Sequence, residues 1–94
     1  MACRFYPDPE TNQPHVHKHN VDEDEVVEVL ANPGEVGRGR DGTMIALGQT
    51  QGGRYLKVIY VPDDDGMGAF VLTAYDLAGK PLQNYKRRRD KKTR

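Results

Sequence analysis

The run RYLKVIYVPDDDGMGAFVLTAYDLAG, residues 54–79, decides the fold. In its first half Leu56, Val58 and Tyr60 alternate with Tyr55, Lys57 and Ile59. In its second half Phe70, Leu72 and Ala74 alternate with Val71, Thr73 and Tyr75. Side chains two apart share a face of a strand, so each half predicts a β-strand with one mostly apolar face and one mixed face. Between them PDDDGMG, residues 62–68, has the Pro, Asp and Gly content of a turn and is long enough to close a hairpin. The expectation is a half-covered antiparallel sheet. Helices should lie on the Leu56/Phe70 face, leaving the Lys57/Tyr75 face as the working surface.

Working outward, TMIALGQT at residues 43–50 predicts a third strand, joined to the first by the turn Gln51-Gly52-Gly53. Three strands with short connections favour an antiparallel meander. Residues 35–41 are charged and glycine-rich, a loop or a weak edge strand. Upstream, Val21, Asp22, Glu25 and Val26 carry a helix start: Asp22 caps, Glu25 reaches back, and Val21 packs on Val26. Val26, Val27, Val29 and Leu30 supply the apolar stripe, and Asn32-Pro33-Gly34 stops the helix. Pro14 suits the first position of a short helix over HVHKH. After Gly79 a last helix opens at Lys80-Pro81, with Leu82 and Tyr85 as its apolar face. The predicted class is α+β, a small antiparallel sheet of three to four strands with helices packed on one face. Residues 15–85 form the single domain and residues 1–14 are poorly structured, with residues 4–6 the one stretch able to add a short edge strand. Residues 86–94 form a basic tail that buries almost nothing and frays unless a partner holds it.

Ninety-four residues suffice for one modest core. The formal charge of zero hides a segregation: residues 80–94 hold eight basic residues and one acid, residues 1–79 six basic residues and thirteen acids. A basic arm on an acidic body suits contact with nucleic acid or an acidic partner. Cys3 is the only cysteine, which excludes an internal disulfide and a cysteine-based zinc site. No apolar run reaches bilayer length, so no membrane contact and a cytoplasmic location are expected. Serine is absent and no GxxxxGK[ST] loop occurs, which argues against serine hydrolase and P-loop chemistry.

His15, His17 and His19 would share one face of a strand, whereas on a helix only His15 and His19 align. No acid or cysteine stands at a ligand spacing beside them, so no metal and no cofactor are expected. The triple acid at residues 63–65 lacks the spacing of a calcium loop. The mixed hairpin face is richer, because Tyr55 and Lys57 stand on one strand and Thr73 and Tyr75 on the next. Cutting RNA without metal needs a base for the 2′-hydroxyl, an acid for the 5′-oxygen and a cation for the extra charge on phosphorus. His19, Tyr75, Lys57 and Arg54 are chemically able to share those tasks. Outward Lys and Tyr are also ordinary on strands.

The ordered set KHNVDEDEVVEVLANP, a GR-D-G strand, GRYLKVIYV and VLTAYDLAGKPLQNYKRRR resembles the BrnT-type toxins over residues 15–90. The resemblance implies the RelE-like toxin fold. It also implies the role of a ribonuclease toxin in a bacterial type II toxin–antitoxin pair, neutralised by a small antitoxin protein that doubles as a DNA-binding repressor. His19 matches the family's histidine after a lysine, and Arg54 its basic residue opening the central strand. Where such toxins carry a Ser-Ala-Arg-like motif, this chain has Thr73-Ala74-Tyr75-Asp76. Tyr75 thus replaces an arginine, and Asp76 would repel phosphate. The expected catalytic set is His19, Lys57 and Tyr75, and the expected RNA contacts are Arg54, Lys80, Lys86, Arg87, Arg88 and Arg89. The alternative is a non-catalytic module on the same fold, holding nucleic acid or an acidic protein through its basic tail.

Overall fold

A computed structural model describes residues 2–92. Its strands are β1 (Ala2–Phe5), β2 (Glu35–Arg38), β3 (Met44–Gln49), β4 (Tyr55–Pro62) and β5 (Gly68–Asp76). A 3-10 helix spans His15–His19, with α1 at Glu23–Ala31 and α2 at Gly79–Lys92. The fold is α+β, as expected, but the sheet has five strands in the order β1-β5-β4-β3-β2 rather than three to four. β3, β4 and β5 form the predicted antiparallel meander, β2 extends it as an antiparallel edge strand, and β1 joins β5 in parallel and makes the sheet mixed. The first residues, expected to be poorly structured, are therefore held in the sheet. After β1, the Tyr6 amide extends the ladder to the Val71 carbonyl at 2.8 Å. Cys3 accordingly sits half-buried against the core, and burial pushes its thiol pKa up.

The expected faces of β5 are corrected by a bulge. Ile59 lies opposite Thr73 but Tyr60 lies opposite Val71, so Leu72 is an extra residue. One extra residue exchanges the two faces of the strand beyond it. Val71 and Ala69 thereby join Leu56, Val58 and Ala74 in the core, and Phe70 turns to the Lys57 side. Val16, Val21, Val26, Val29 and Leu30 close over this core face. The Glu25 carboxylate accepts from the Asp22 amide at 3.0 Å, the returning arm of the predicted capping box, and Val21 and Val26 are both buried.

Helices occupy both faces, not one. Leu47 is the register partner of Lys57, and Tyr55 lies two residues before Lys57, so both point to the second face. There they pack with Leu77, Leu82 and Tyr85 around the start of α2. The helix continues to Lys92 instead of fraying after Lys86, because its cations dock on the body. Arg88 forks onto Glu35, with Nε to Oε1 at 2.6 Å and Nη2 to Oε2 at 2.9 Å, and Arg89 donates to the Gly34 carbonyl at 3.0 Å. The last expected tail residues, 93 and 94, lie outside the described residues. Among the described residues no helix is long and apolar enough to cross a membrane.

Candidate functional site

Lys57 and Tyr75 are direct register partners on β4 and β5, and the Lys57 Nζ lies 5.7 Å from the Tyr75 ring centre. The pair is half-buried beside a cleft of about 310 Å³ walled by Ile45, Leu47, Leu77, Pro81, Asn84 and Arg88. His19 arrives from the far end of the chain, its ring 5.6 Å from that of Tyr75. The three expected catalytic residues therefore meet, Tyr75 standing between the imidazole and the ammonium.

What holds His19 there is legible residue by residue. Val16 is buried and anchors the 3-10 helix to the core. Asn20 ends it in the left-handed region (φ 60°), a conformation asparagine tolerates better than most residues, and its amide bonds to the His17 carbonyl at 3.1 Å. Arg54 then ties the turn down. Its Nη1 donates to the Asn20 carbonyl at 2.8 Å and to Glu25 at 3.0 Å, and its Nε donates to Asp76 at 2.6 Å. The hydrogen bond that Arg54 donates to Asp76, with the Asp76 and Glu25 charges, holds the guanidinium above its usual pKa, and Arg54 in turn holds Asp76 below the usual carboxylate range.

Arg54, expected as an RNA contact, thus turns donors inward to the Asn20 and His19 carbonyls, Glu25 and Asp76, and ties down the turn that carries His19. Asp76 is likewise paired with a cation, which it shares with Glu25. Of the expected basic contacts, Arg88 is engaged with Glu35 and Arg89 with Gly34. Lys86 lies 4.9 Å from the Tyr55 ring centre beside a second cleft of about 460 Å³, while Lys80 and Arg87 are exposed.

A buried carboxylate missed by the sequence reading braces the other end of the 3-10 helix. Asp8 is 1% exposed. It receives the Glu10 amide at 2.9 Å, and Lys18 Nζ stands 2.8 Å and His15 Nδ1 3.9 Å from its Oδ2. The hydrogen bond from Lys18, then that from the Glu10 amide, holds its pKa below the usual range. The only sequence signal was an aspartate between two prolines, Pro7 and Pro9, which reads as loop polarity and not as a buried post.

The histidines divide as a helix requires. His15 and His19 stack edge-on at 5.7 Å, while His17 turns to Glu23 at 3.7 Å. Among the described residues no group of three or more His, Cys, Asp or Glu side chains gathers into a metal-holding set. Set against known proteins, the chain matches no protein-family model and no curated protein sequence.

Proposed function

We propose that this protein is an endoribonuclease whose own side chains perform the cleavage, acting as the toxin of a type II toxin–antitoxin pair on a RelE-like fold. The observation that carries the reading is the convergence of His19 and Lys57, residues distant in sequence, on the ring of Tyr75. His19 takes the proton of a 2′-hydroxyl, histidine being the side chain suited to that exchange near neutral pH. The 2′-oxygen then bonds to phosphorus, the bond to the 5′-oxygen breaks, and the Tyr75 hydroxyl supplies the proton that oxygen needs. The products are a 2′,3′-cyclic phosphate and a 5′-hydroxyl end. Tyr75 is reprotonated from His19 through solvent. Lys57 faces the charge that accumulates on the phosphoryl oxygens. Where related toxins place an arginine, Lys57 supplies the cation from the neighbouring strand. The small antitoxin implied by the toxin role covers this face.

The test is RNA cleavage by the purified chain in EDTA, with the new ends analysed. Cyclic phosphate ends are expected, and removal of the His19 or Tyr75 proton-transfer group should slow cleavage by roughly 10²–10⁴-fold. RNA left intact by the folded protein, together with unimpaired growth of a bacterial host expressing it, overturns the reading.

The second reading, a module that binds nucleic acid without cutting it, is supported by α2. Lys80 and Arg87, seven residues apart and both exposed, share one side of a helix already formed and docked. Its signature is binding that weakens steeply with salt, loses slope when Lys80 and Arg87 are neutralised, and leaves the RNA whole.

A further inference from the structure

The contact between His19 and Tyr75 is one link in a longer series. The Phe70 ring touches Tyr6 (6.4 Å), Tyr6 touches His15 (6.2 Å), His15 touches His19 (5.7 Å) and His19 touches Tyr75 (5.6 Å). Five rings thus run in sequence beside β5, from Phe70 near its start to Tyr75 near its end. A cation stands at each terminus: Arg4, itself paired with Asp63, lies 5.8 Å from the Phe70 ring centre, and Lys57 lies 5.7 Å from that of Tyr75. The bulge at Leu72 makes the ribbon possible, because without it Phe70 would face the core. Rings meet at interplanar angles of 55° to 82°, so none lies flat over its neighbour. Tyr6, the second ring of the series, is 42% exposed. Alongside, Ile59, Val61 and Leu72 line an apolar concavity of about 530 Å³. The carboxylate beneath the ribbon, Asp8, is buried and answered by Lys18.

We infer that this ribbon is a track for single-stranded RNA, its bases stacking on Phe70, Tyr6 and His15 while the backbone leads to the His19–Tyr75–Lys57 end. Aromatic faces spaced along a surface with flanking cations accept bases without regard to identity, and a duplex keeps its faces stacked internally and offers none. The inference rests on the reading that this site takes RNA. It adds the strandedness of the substrate and the side of the cleavage point on which it is gripped.

The test separates binding from cleavage by using 2′-O-methyl RNA, which lacks the attacking hydroxyl, in fluorescence anisotropy. A single strand should bind and the same sequence as a duplex should bind far more weakly. Tyr6→Ala should weaken single-strand binding roughly 5- to 100-fold. Phe70→Leu, which keeps apolar volume and removes the ring, should do the same with an unchanged circular dichroism spectrum. Equal affinity for duplex and single strand, or affinities indifferent to both substitutions, overturns the track. Ribbon-dependent binding together with uncut natural RNA upholds the track and removes the proposed cleavage.

Discussion

Lys57 and Tyr75 face each other across the β4–β5 ladder, with the ammonium 5.7 Å from the ring centre. The contact uses the π-face of Tyr75, and the proposed chemistry uses its hydroxyl, so the two can be separated. Tyr75→Phe keeps the ring under Lys57. It is expected to leave affinity for uncleavable RNA within about twofold while lowering kcat by roughly 10²–10⁴-fold. Lys57→Ala removes the cation and should lower both quantities. Single-turnover cleavage and anisotropy on the same preparations check this split. Equal losses of affinity and kcat in Tyr75→Phe would make the hydroxyl a binding group.

Arg54 carries a different prediction, because it reaches the site only through the turn that holds His19. Arg54→Gln leaves Glu25 and Asp76 without their cation and frees the Asn20 carbonyl. Bonds to charged partners contribute about 1.5–3 kcal/mol each when shielded, and Asp76 is 59% exposed. A net loss near 1–2 kcal/mol is expected, read as a lower midpoint in urea. Turnover should fall with it. The discriminating measurement is the double variant Arg54→Gln with Asp76→Asn. If Arg54 is a brace, removing the orphaned carboxylate restores part of the stability and of kcat. A phosphate contact would instead show as weaker RNA binding at unchanged stability.

The meander, α1 with its capping box and the Lys57/Tyr75 face were all legible, because each rests on alternation or on cap residues within a few positions of one another. The hairpin's far half was not. Nothing in AFVLTAY marks Leu72 as the extra residue; the bulge satisfies the demands of the core at both ends of β5, and those are known only once α1 and β1 are in place. β1 was legible only as an option at residues 4–6, since a parallel edge strand draws its stability from a partner some 66 positions away. His19, Tyr75 and Lys57 were singled out by asking which residues could move protons or face charge on phosphorus, and the fold brings them together. For Arg54 the sequence shows a cation but not the Asp76 and Glu25 that pair with it.

Asp8 predicts an acid limit to stability. Its folded pKa is lowered by Lys18 first and the Glu10 amide second, relative to an unfolded aspartate near ~3.9. A lowered acid contributes stability fully above the unfolded value and loses it as pH falls through the folded one. Lys18, whose pKa Asp8 raises, reports the same bond from the other end, with its contribution lost only as pH rises through that raised value. The thermal midpoint should therefore hold level near neutrality and drop below about pH 4. Asp8→Asn should lower the plateau and flatten the drop. The flattening is partial, because Asp76, also lowered, acts with the same sign. An acid limb identical in the variant and the wild type would show that Asp8 is not the brace described.

Gly34 and Tyr85 make the most local prediction. Gly34 follows Pro33 at the end of the α1 stop, its amide bonds to the Leu47 carbonyl at 2.9 Å, and its own carbonyl receives Arg89. A Cβ at this position would stand 1.8 Å from the Tyr85 hydroxyl oxygen and 2.9 Å from the ring carbon bearing it. Tyr85 is 4% exposed and packs edge-on against Tyr55 at 6.2 Å, so it has little room to withdraw. Gly34→Ala is therefore expected to cost about 1–3 kcal/mol through overpacking, a loss that chemical denaturation measures directly. Tyr85→Phe removes the nearer of the two clashing atoms. The double variant Gly34→Ala, Tyr85→Phe should lie closer in stability to Tyr85→Phe alone than Gly34→Ala lies to the wild type, a positive coupling between neighbours. Additive losses would mean that the backbone at Gly34, and not the phenol, yields to the new methyl group.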